Sequence, residues 1–124
     1  MTSKIIIITD GKKSSIDSVY QYLIEHGYEV FVAYDGIDGF NLVRKERPDL
    51  VLIDAMLSGY NGYQICSLLK FDIKYEDIVV VILSDGDGRK YQKLAAISGA
   101  DGILLKPIDL NELMGIVRSL NLIE

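Results

Sequence analysis

Cysteine and histidine each occur once in this sequence, as Cys66 and His26. A single cysteine cannot form an internal disulfide, which is typical of a reducing compartment. With no second histidine to complete a metal pair, we interpret His26 as structural and Cys66 as a core residue. No apolar run reaches the roughly 18 residues of a membrane helix, and the N-terminal MTSK has no signal-peptide apolar region. The sequence therefore predicts a soluble, cytoplasmic protein that does not bind membranes.

Basic charge is also scarce. The net charge is −5, and no basic run is longer than Lys12-Lys13, whereas binding to nucleic acid phosphates requires a basic patch. We therefore expect no direct contact with nucleic acid. The chain shows no linker composition, low-complexity tract or solenoid repeat. Its 124 residues suit one domain with one core, spanning 1–124.

Apolar runs of strand length alternate with segments of helical periodicity. The strand-like runs are continuous in aliphatic residues, as in a sheet covered on both faces, and comprise 4–9, 28–33, 50–53, 78–83 and 102–105. Helical segments follow each of them. Five consecutive β-α units predict an α/β fold, in which a doubly wound, five-stranded parallel sheet lies between two layers of helices.

Helical spacing and capping patterns add detail to this prediction. Asp35 is a candidate N-cap for the second helix, and Gly27 is expected just beyond the end of the first. Candidate capping pairs are Ser14 with Asp17 and Asp109 with Glu112. In the first three helices, the positions predicted to face the core include Leu23, Ile24, Ile37, Phe40, Val43, Ile65, Leu68 and Leu69.

Polar residues stand where four of the apolar strands end. Asp10 follows the first strand, Asp54 the third, Ser84 the fourth and Lys106 the fifth. The carboxyl ends of parallel strands share one edge of the sheet, where such folds bind ligands at the switch in strand order. We therefore expect these four side chains to converge on one site.

Those residue types suit phosphoryl chemistry. Two neighbouring carboxylates favour a hard cation such as Mg²⁺, and a lysine supplies positive charge for phosphoryl oxygens. A carboxylate can itself be the nucleophile and form an aspartyl phosphate, with Mg²⁺ bridging it to the incoming group. Taken singly, each aspartate could be a helix cap, Ser84 the start of a loop and Lys106 a solvated residue. Their joint position favours a shared site.

Three segments resemble the receiver domain of bacterial response regulators. RPDLVLIDAMLSGYNGYQIC is similar to the phosphoacceptor segment, with Asp54 at the phosphorylated position. VVVILSDG is similar to the switch segment, with Ser84 at its Ser/Thr position. GADGILLKPID is similar to the segment in which the family lysine, here Lys106, precedes a cis proline. The resemblance covers essentially the whole chain and implies the flavodoxin-like strand order 2-1-3-4-5.

The resemblance also implies a function. Asp54 would accept a phosphoryl group from a histidine kinase or phosphotransfer protein, assisted by Ser84 and Lys106. The carboxylates of Asp10 and Asp54 and the backbone carbonyl of Met56 would hold Mg²⁺. Phosphorylation would pull the fourth β-α loop inward and change the face formed by the fourth helix, fifth strand and fifth helix, which a downstream protein reads. Such a protein is a switch and not an enzyme, whether it stands alone or belongs to a longer chain.

Four positions depart from the family pattern. Thr9 stands where a second acid is usual, and Ser58 replaces a proline. Asp85 replaces the small residue expected after Ser84, and Ile103 replaces an aromatic residue that moves on activation. These departures leave open a second hypothesis, a degenerate receiver that binds proteins without being phosphorylated.

Two further classes fit less well. A phosphohydrolase of the haloacid dehalogenase kind needs Asp-x-Asp after the first strand, where this chain has Asp10-Gly11-Lys12. A flavin- or nucleotide-binding module needs a glycine-rich phosphate loop, and TDGKKSS contains one glycine. The receiver hypothesis explains all four strand-end residues, so it is the one carried forward.

Overall fold

Strands and helices alternate along the chain. The computed structural model describes residues 3–10, 16–85 and 88–119, with only the backbone in 88–91. The strands are β1 (Lys4–Ile8), β2 (Glu29–Ala33), β3 (Leu50–Asp54), β4 (Val79–Ser84) and β5 (Gly102–Leu105). The helices are α1 (Asp17–Glu25), α2 (Gly36–Glu46), α3 (Gly62–Lys70), α4 (Gly88–Ile97) and α5 (Leu110–Ser119).

The five strands form one parallel sheet in the order β2-β1-β3-β4-β5. This confirms both the predicted α/β fold and the strand order. Because β1 pairs with β2 on one side and β3 on the other, the chain direction across the sheet reverses at β1. Doubly wound sheets bind ligands at the carboxyl ends of the strands beside such a reversal. Asp54 is the last residue of β3, and Asp10 lies two residues after the end of β1.

The core consists of two apolar clusters, one on each face of the sheet. Successive side chains of a strand point to opposite faces, so Ile6 and Ile8 belong to one cluster and Ile5 and Ile7 to the other. The first cluster packs beneath α2, α3 and α4, and the second beneath α1 and α5. The predicted three-layer arrangement is therefore confirmed. No helix in the described ranges is long and apolar enough to cross a membrane.

Three side chains predicted to face the core are exposed instead. Ile24, Ile37 and Leu68 are each solvent-exposed, and each directly adjoins a buried residue of the same helix. One residue is a rotation of about 100° around a helix, and a helix on a sheet buries only one stripe. Helical spacing in the sequence is compatible with a wider buried stripe than the one that packs on the sheet. The prediction that these three side chains face the core was therefore wrong.

Capping residues fix where the helices on one face begin. The Asp35 carboxylate accepts a hydrogen bond from the backbone N–H of Asp38 at 2.7 Å, which confirms the predicted N-cap of α2. A capping box that we did not predict starts α3. The Asn61 side chain accepts from the Gln64 N–H at 2.9 Å, and the Gln64 side chain accepts from the Asn61 N–H at 2.8 Å. Asn-x-x-Gln before an apolar helix was the available signal.

The other predicted caps have mixed outcomes. Gly27 adopts a φ of 88° beyond the end of α1, as predicted for a residue in the left-handed region. The Asp109 carboxylate accepts from the backbone N–H of Glu112 at 3.3 Å and so caps α5. At α1 the N-cap is Ile16, which makes no side-chain cap, and Ser14 of the predicted pair lies outside the described residues.

The single cysteine and histidine take the positions expected of structural residues. Cys66 is a fully buried residue of α3, and burial raises the pKa of its thiol, which makes the reactive thiolate less populated. His26 follows α1, where its Nδ1 lies 2.8 Å from the backbone carbonyl oxygen of Tyr22.

Candidate functional site

The strand-end residues meet at the carboxyl edge of the sheet. Asp54 ends β3 and Ser84 ends β4. Asp54 is in register with Leu83, which places Ser84 one residue farther along its strand. The backbone N–H of Lys106 donates to the Ser84 carbonyl at 2.8 Å and so holds the lysine at this edge. The peptide bond between Lys106 and Pro107 is cis, as the family resemblance implied.

The Asp54 carboxylate is buried and has a partner at each oxygen. Its residue is only 1% exposed. Its Oδ1 lies 2.8 Å from Nζ of Lys106, in an ion pair. Its Oδ2 accepts a hydrogen bond of 3.3 Å from the backbone N–H of Asp10. Because an isolated buried carboxylate is costly, these contacts are what allow a negative charge to remain at the end of β3.

A small cavity of about 30 Å³ opens beside this carboxylate. Four of the lining residues were predicted for the site, namely Asp10, Met56, Ser84 and Lys106. The other three lining residues are Ala55, Leu83 and Asp85. The Asp54 carboxylate itself contacts Lys106 and the backbone of Asp10. The predicted convergence is thus observed. Ala55 and Leu83 were missed because they carry no reactive group, although both adjoin a predicted site residue in the sequence.

Gly62 fixes the chain that leaves β3. A Cβ atom at this position would collide with the backbone carbonyl oxygen of Asp54, so only glycine allows so close an approach. The Gly62 N–H also donates to the Ala55 carbonyl at 2.9 Å. The start of α3 is therefore pressed against the strand end, and this contact positions the Asp54 backbone.

The departures from the family pattern occupy different environments. Thr9 is buried, and its hydroxyl has no hydrogen-bond partner within the described part of the chain. Ile103 is half-buried and packs against the core cluster that contains Ile82. Ser58 and Asp85 are exposed, and Asp85 alone among these four lines the cavity. Asp85 is therefore the departure that lies in the cavity wall, and Thr9 directly precedes Asp10 in the chain.

The donor set is suited to a hard cation. Asp10 and Met56 line the cavity, Asp54 contacts the Asp10 backbone, and carboxylate and carbonyl oxygens are the ligands that Mg²⁺ prefers. No group of three or more Asp, Glu, His or Cys side chains gathers around a possible metal position in residues 3–10, 16–85 and 88–119. A Mg²⁺ ion here would therefore depend on two carboxylates, a backbone oxygen and water.

The sequence matches the family model described as response regulator receiver domain over residues 6–118. The chain belongs to this family. The receiver also resembles solved structures over nearly its whole length. For the receiver domain of a Francisella response regulator, the identity is 28%, the TM-score 0.83, and 96% of each chain is covered.

Two further structures show the same likeness. The signal receiver domain of a DNA-binding response regulator from Colwellia psychrerythraea is 25% identical, with a TM-score of 0.88 and coverage of 96% of this chain and 98% of that one. The chemotaxis response regulator CheY4 of Vibrio cholerae is 21% identical, with a TM-score of 0.86 and coverage of 97% and 99%, and it supports the fold alone.

Family membership confirms the resemblance read from the three sequence segments. The chain is a receiver domain of the two-component kind, whose members pair with histidine kinases or phosphotransfer proteins and generally bind Mg²⁺ in their acidic pocket. The alternative of a degenerate binding module is not favoured.

Proposed function

We propose that this receiver accepts a phosphoryl group on Asp54 from a histidine kinase or phosphotransfer protein, and that it acts as a switch and not as an enzyme. The observation that carries the proposal is the ion pair of 2.8 Å between Lys106 Nζ and Asp54 Oδ1. It holds a cation against the one buried carboxylate of the site. That cation is available to phosphoryl oxygens once the carboxylate is modified.

In the proposed transfer, a carboxylate oxygen of Asp54 attacks phosphorus. The bond from phosphorus to the donor nitrogen breaks, and its electron pair leaves with the donor imidazole. Lys106 then pairs with a phosphoryl oxygen, and the Ser84 hydroxyl, which lines the same cavity, donates to another. Bound Mg²⁺, held by Asp10, Asp54 and the Met56 carbonyl, would supply neutralisation of negative charge on the transferring group.

The size of the cavity supports a switching role. About 30 Å³ has room for only one or two water molecules, so a phosphoryl group on Asp54 would press against the walls and favour their movement. Asp85, the wall residue that leads from β4 toward α4, is exposed and is free of strand pairing. We propose that this connection moves on phosphorylation and that a downstream protein reads the face formed by α4, β5 and α5. Leu105 of β5 is an exposed apolar residue on that face.

The test is incubation of the protein with acetyl phosphate and Mg²⁺, followed by intact-mass measurement. We expect the mass of one phosphoryl group to be added, and the gain to fall when Mg²⁺ is removed with EDTA. Circular dichroism before and after EDTA treatment verifies that the fold is intact. A folded protein that gains no mass under any of these conditions would contradict the proposal and favour the phosphorylation-independent binding module.

Thr9→Asp should tighten Mg²⁺ binding. The substitution places a carboxylate next to Asp10, where the family usually has a second acid. Charges about 4 Å apart interact by about 4 kcal/mol at an effective dielectric of 20, before desolvation and screening reduce that value. Because Thr9 is almost fully buried, the new carboxylate should also lower the free energy of unfolding when no metal is present. Mg²⁺ titration and urea unfolding measure the two effects, and Thr9→Asn is the uncharged control. Equal Mg²⁺ affinity in wild type and Thr9→Asp would contradict the proposed metal site.

Asp85→Ala should speed both phosphorylation by acetyl phosphate and loss of the phosphoryl group. The side chain stands at the cavity entrance, where it repels an anionic donor and narrows the path of attacking water. An exposed charge contributes little, so we expect rates to rise about two- to five-fold. Asp85→Asn, which removes charge but keeps size, separates the two causes. If the rates stay constant and Mg²⁺ affinity falls instead, Asp85 is a cation ligand and not a gate.

A further inference from the structure

An open apolar groove of about 820 Å³ lies between α3 and α4. The residues that line it are mostly aliphatic or aromatic and include Met56, Tyr60, Tyr63, Leu68, Leu94 and Ile97. Several of these side chains are solvent-exposed, Ile97 to 66%. Covering exposed apolar surface with a partner lowers the free energy of the system. Exposed apolar patches therefore often mark interaction sites.

Three polar residues of the groove, Asn61, Gln64 and Ser98, are already hydrogen-bonded within the protein. Asn61 and Gln64 bond to each other's backbone in the capping box of α3. The Ser98 hydroxyl donates to the Ala95 carbonyl at 2.7 Å. These three residues therefore offer little to a polar ligand, and the mostly apolar lining suits an occupant that presents an apolar stripe.

The two helices beside the groove carry only positive charge. α3 contains one lysine and α4 contains Arg89, Lys90 and Lys93, and neither helix has an Asp or Glu, although the whole chain has a net charge of −5. Lys70 of α3 is engaged, since its Nζ lies 2.9 Å from Asp101 and donates to two backbone carbonyls. The other positive charges of the two helices belong to α4. A partner with acidic residues beside its apolar stripe would complement it.

The groove is continuous with the phosphoacceptor site. Ala55 and Met56, the two residues after Asp54, line both the groove and the small cavity. An occupant of the groove would therefore contact the same short segment that a phosphoryl group on Asp54 would contact. This places the groove beside the chemistry of the receiver, and on the α3 side of α4, away from β5.

We propose that the α3–α4 groove binds an acidic amphipathic helix of a partner protein. Its apolar stripe would pack on the groove residues, with anchors spaced as i, i+3 or i+4, and i+7. Its acidic residues would lie along α4. The position, the mostly apolar lining and the one-signed charge of the bounding helices together select this occupant.

The first test uses model peptides. A fluorescent helical peptide of about 18 residues, above the length at which isolated helices are marginal, carries a leucine stripe and a glutamate face. A second peptide has lysine in place of glutamate. By fluorescence anisotropy we expect the acidic peptide to bind roughly five- to tenfold more tightly at low salt, and this preference to shrink as salt is added. Equal affinities for the two peptides would overturn the proposal.

Variants then locate the binding site on the protein. Ile97→Glu places a charge in the groove and should weaken the acidic peptide about tenfold or more, because a buried like charge opposes it. Ile73→Glu is the matched control, since Ile73 is 84% exposed and does not line the groove. Both sites are exposed, so both variants should fold. Lys93→Gln should weaken binding, whereas Lys45→Gln on α2 should not.

Two outcomes would replace this proposal with another. If Leu105→Glu weakens the peptide and Ile97→Glu does not, the peptide binds the α4-β5-α5 face and the groove proposal is wrong. If analytical ultracentrifugation shows a dimer that Ile97→Glu alone dissociates, a second copy of the chain fills the groove. Both measurements use unphosphorylated protein, so they stand or fall independently of phosphorylation at Asp54.

Discussion

Asp54→Asn should abolish the gain of a phosphoryl group in acetyl phosphate and Mg²⁺. The substitution keeps the shape of the side chain but replaces the anionic nucleophile with a neutral amide, which cannot form the acyl phosphate. We expect no added mass at times when the wild type is fully modified. Intact-mass measurement reports the loss, and peptide mapping of the wild type should place the modification on Asp54.

Asp38→Asn is the control for this experiment. Asp38 is an exposed acid in the first turn of α2, away from the cavity, so this variant should be phosphorylated like the wild type. A phosphoryl gain at full rate in Asp54→Asn would instead assign the acceptor to Asp10 or Asp85, which line the same cavity. Urea unfolding of both variants verifies that they are folded.

Leu69→Ala should lower the free energy of unfolding by about 2–5 kcal/mol, the range for removing a buried leucine and leaving a cavity. Leu69 is fully buried in the cluster beneath α3. Its neighbour Leu68 is 46% exposed. Leu68→Ala should cost less than about 1 kcal/mol, as is usual for substitutions on the surface.

Urea denaturation with linear extrapolation measures both changes. The two variants share the helix, the residue type and the substitution, so helix propensity cancels between them. The slope of free energy against urea should match the wild type in each case. Equal losses for the two leucines would show that α3 is rotated from the position described here.

The fold could be predicted from the sequence because its strands are marked by unusually continuous aliphatic runs. Continuous aliphatic runs such as residues 50–53 occur only where both faces of a sheet are covered. Four of the five runs end at a polar residue, and parallel strands bring their ends together, so Asp54, Ser84 and Lys106 were found without coordinates. The ion pair between Asp54 and Lys106 required the structure, because strand order alone leaves several ångströms of freedom to a long lysine side chain.

The faces of the helices were less predictable. Leu68 satisfies helical spacing from Ile65 as well as a core residue does, yet it lines the groove between α3 and α4. A surface that binds another helix has the same apolar periodicity as a surface that binds the core. Only the packing of α3 on the sheet, fixed by Gly62 and the Asn61 cap, decides between them.

Ala55 and Met56 line both the groove and the cavity at Asp54, so binding in the groove and phosphorylation of Asp54 act on the same wall. To the extent that an occupant of the groove shifts this wall, it changes the free energy of the phosphorylated state relative to the unmodified one. Linkage then requires that phosphorylation change the affinity of the occupant by the same factor. The coupling would act in both directions, so that a bound partner would shift the equilibrium between the phosphorylated and the unmodified receiver.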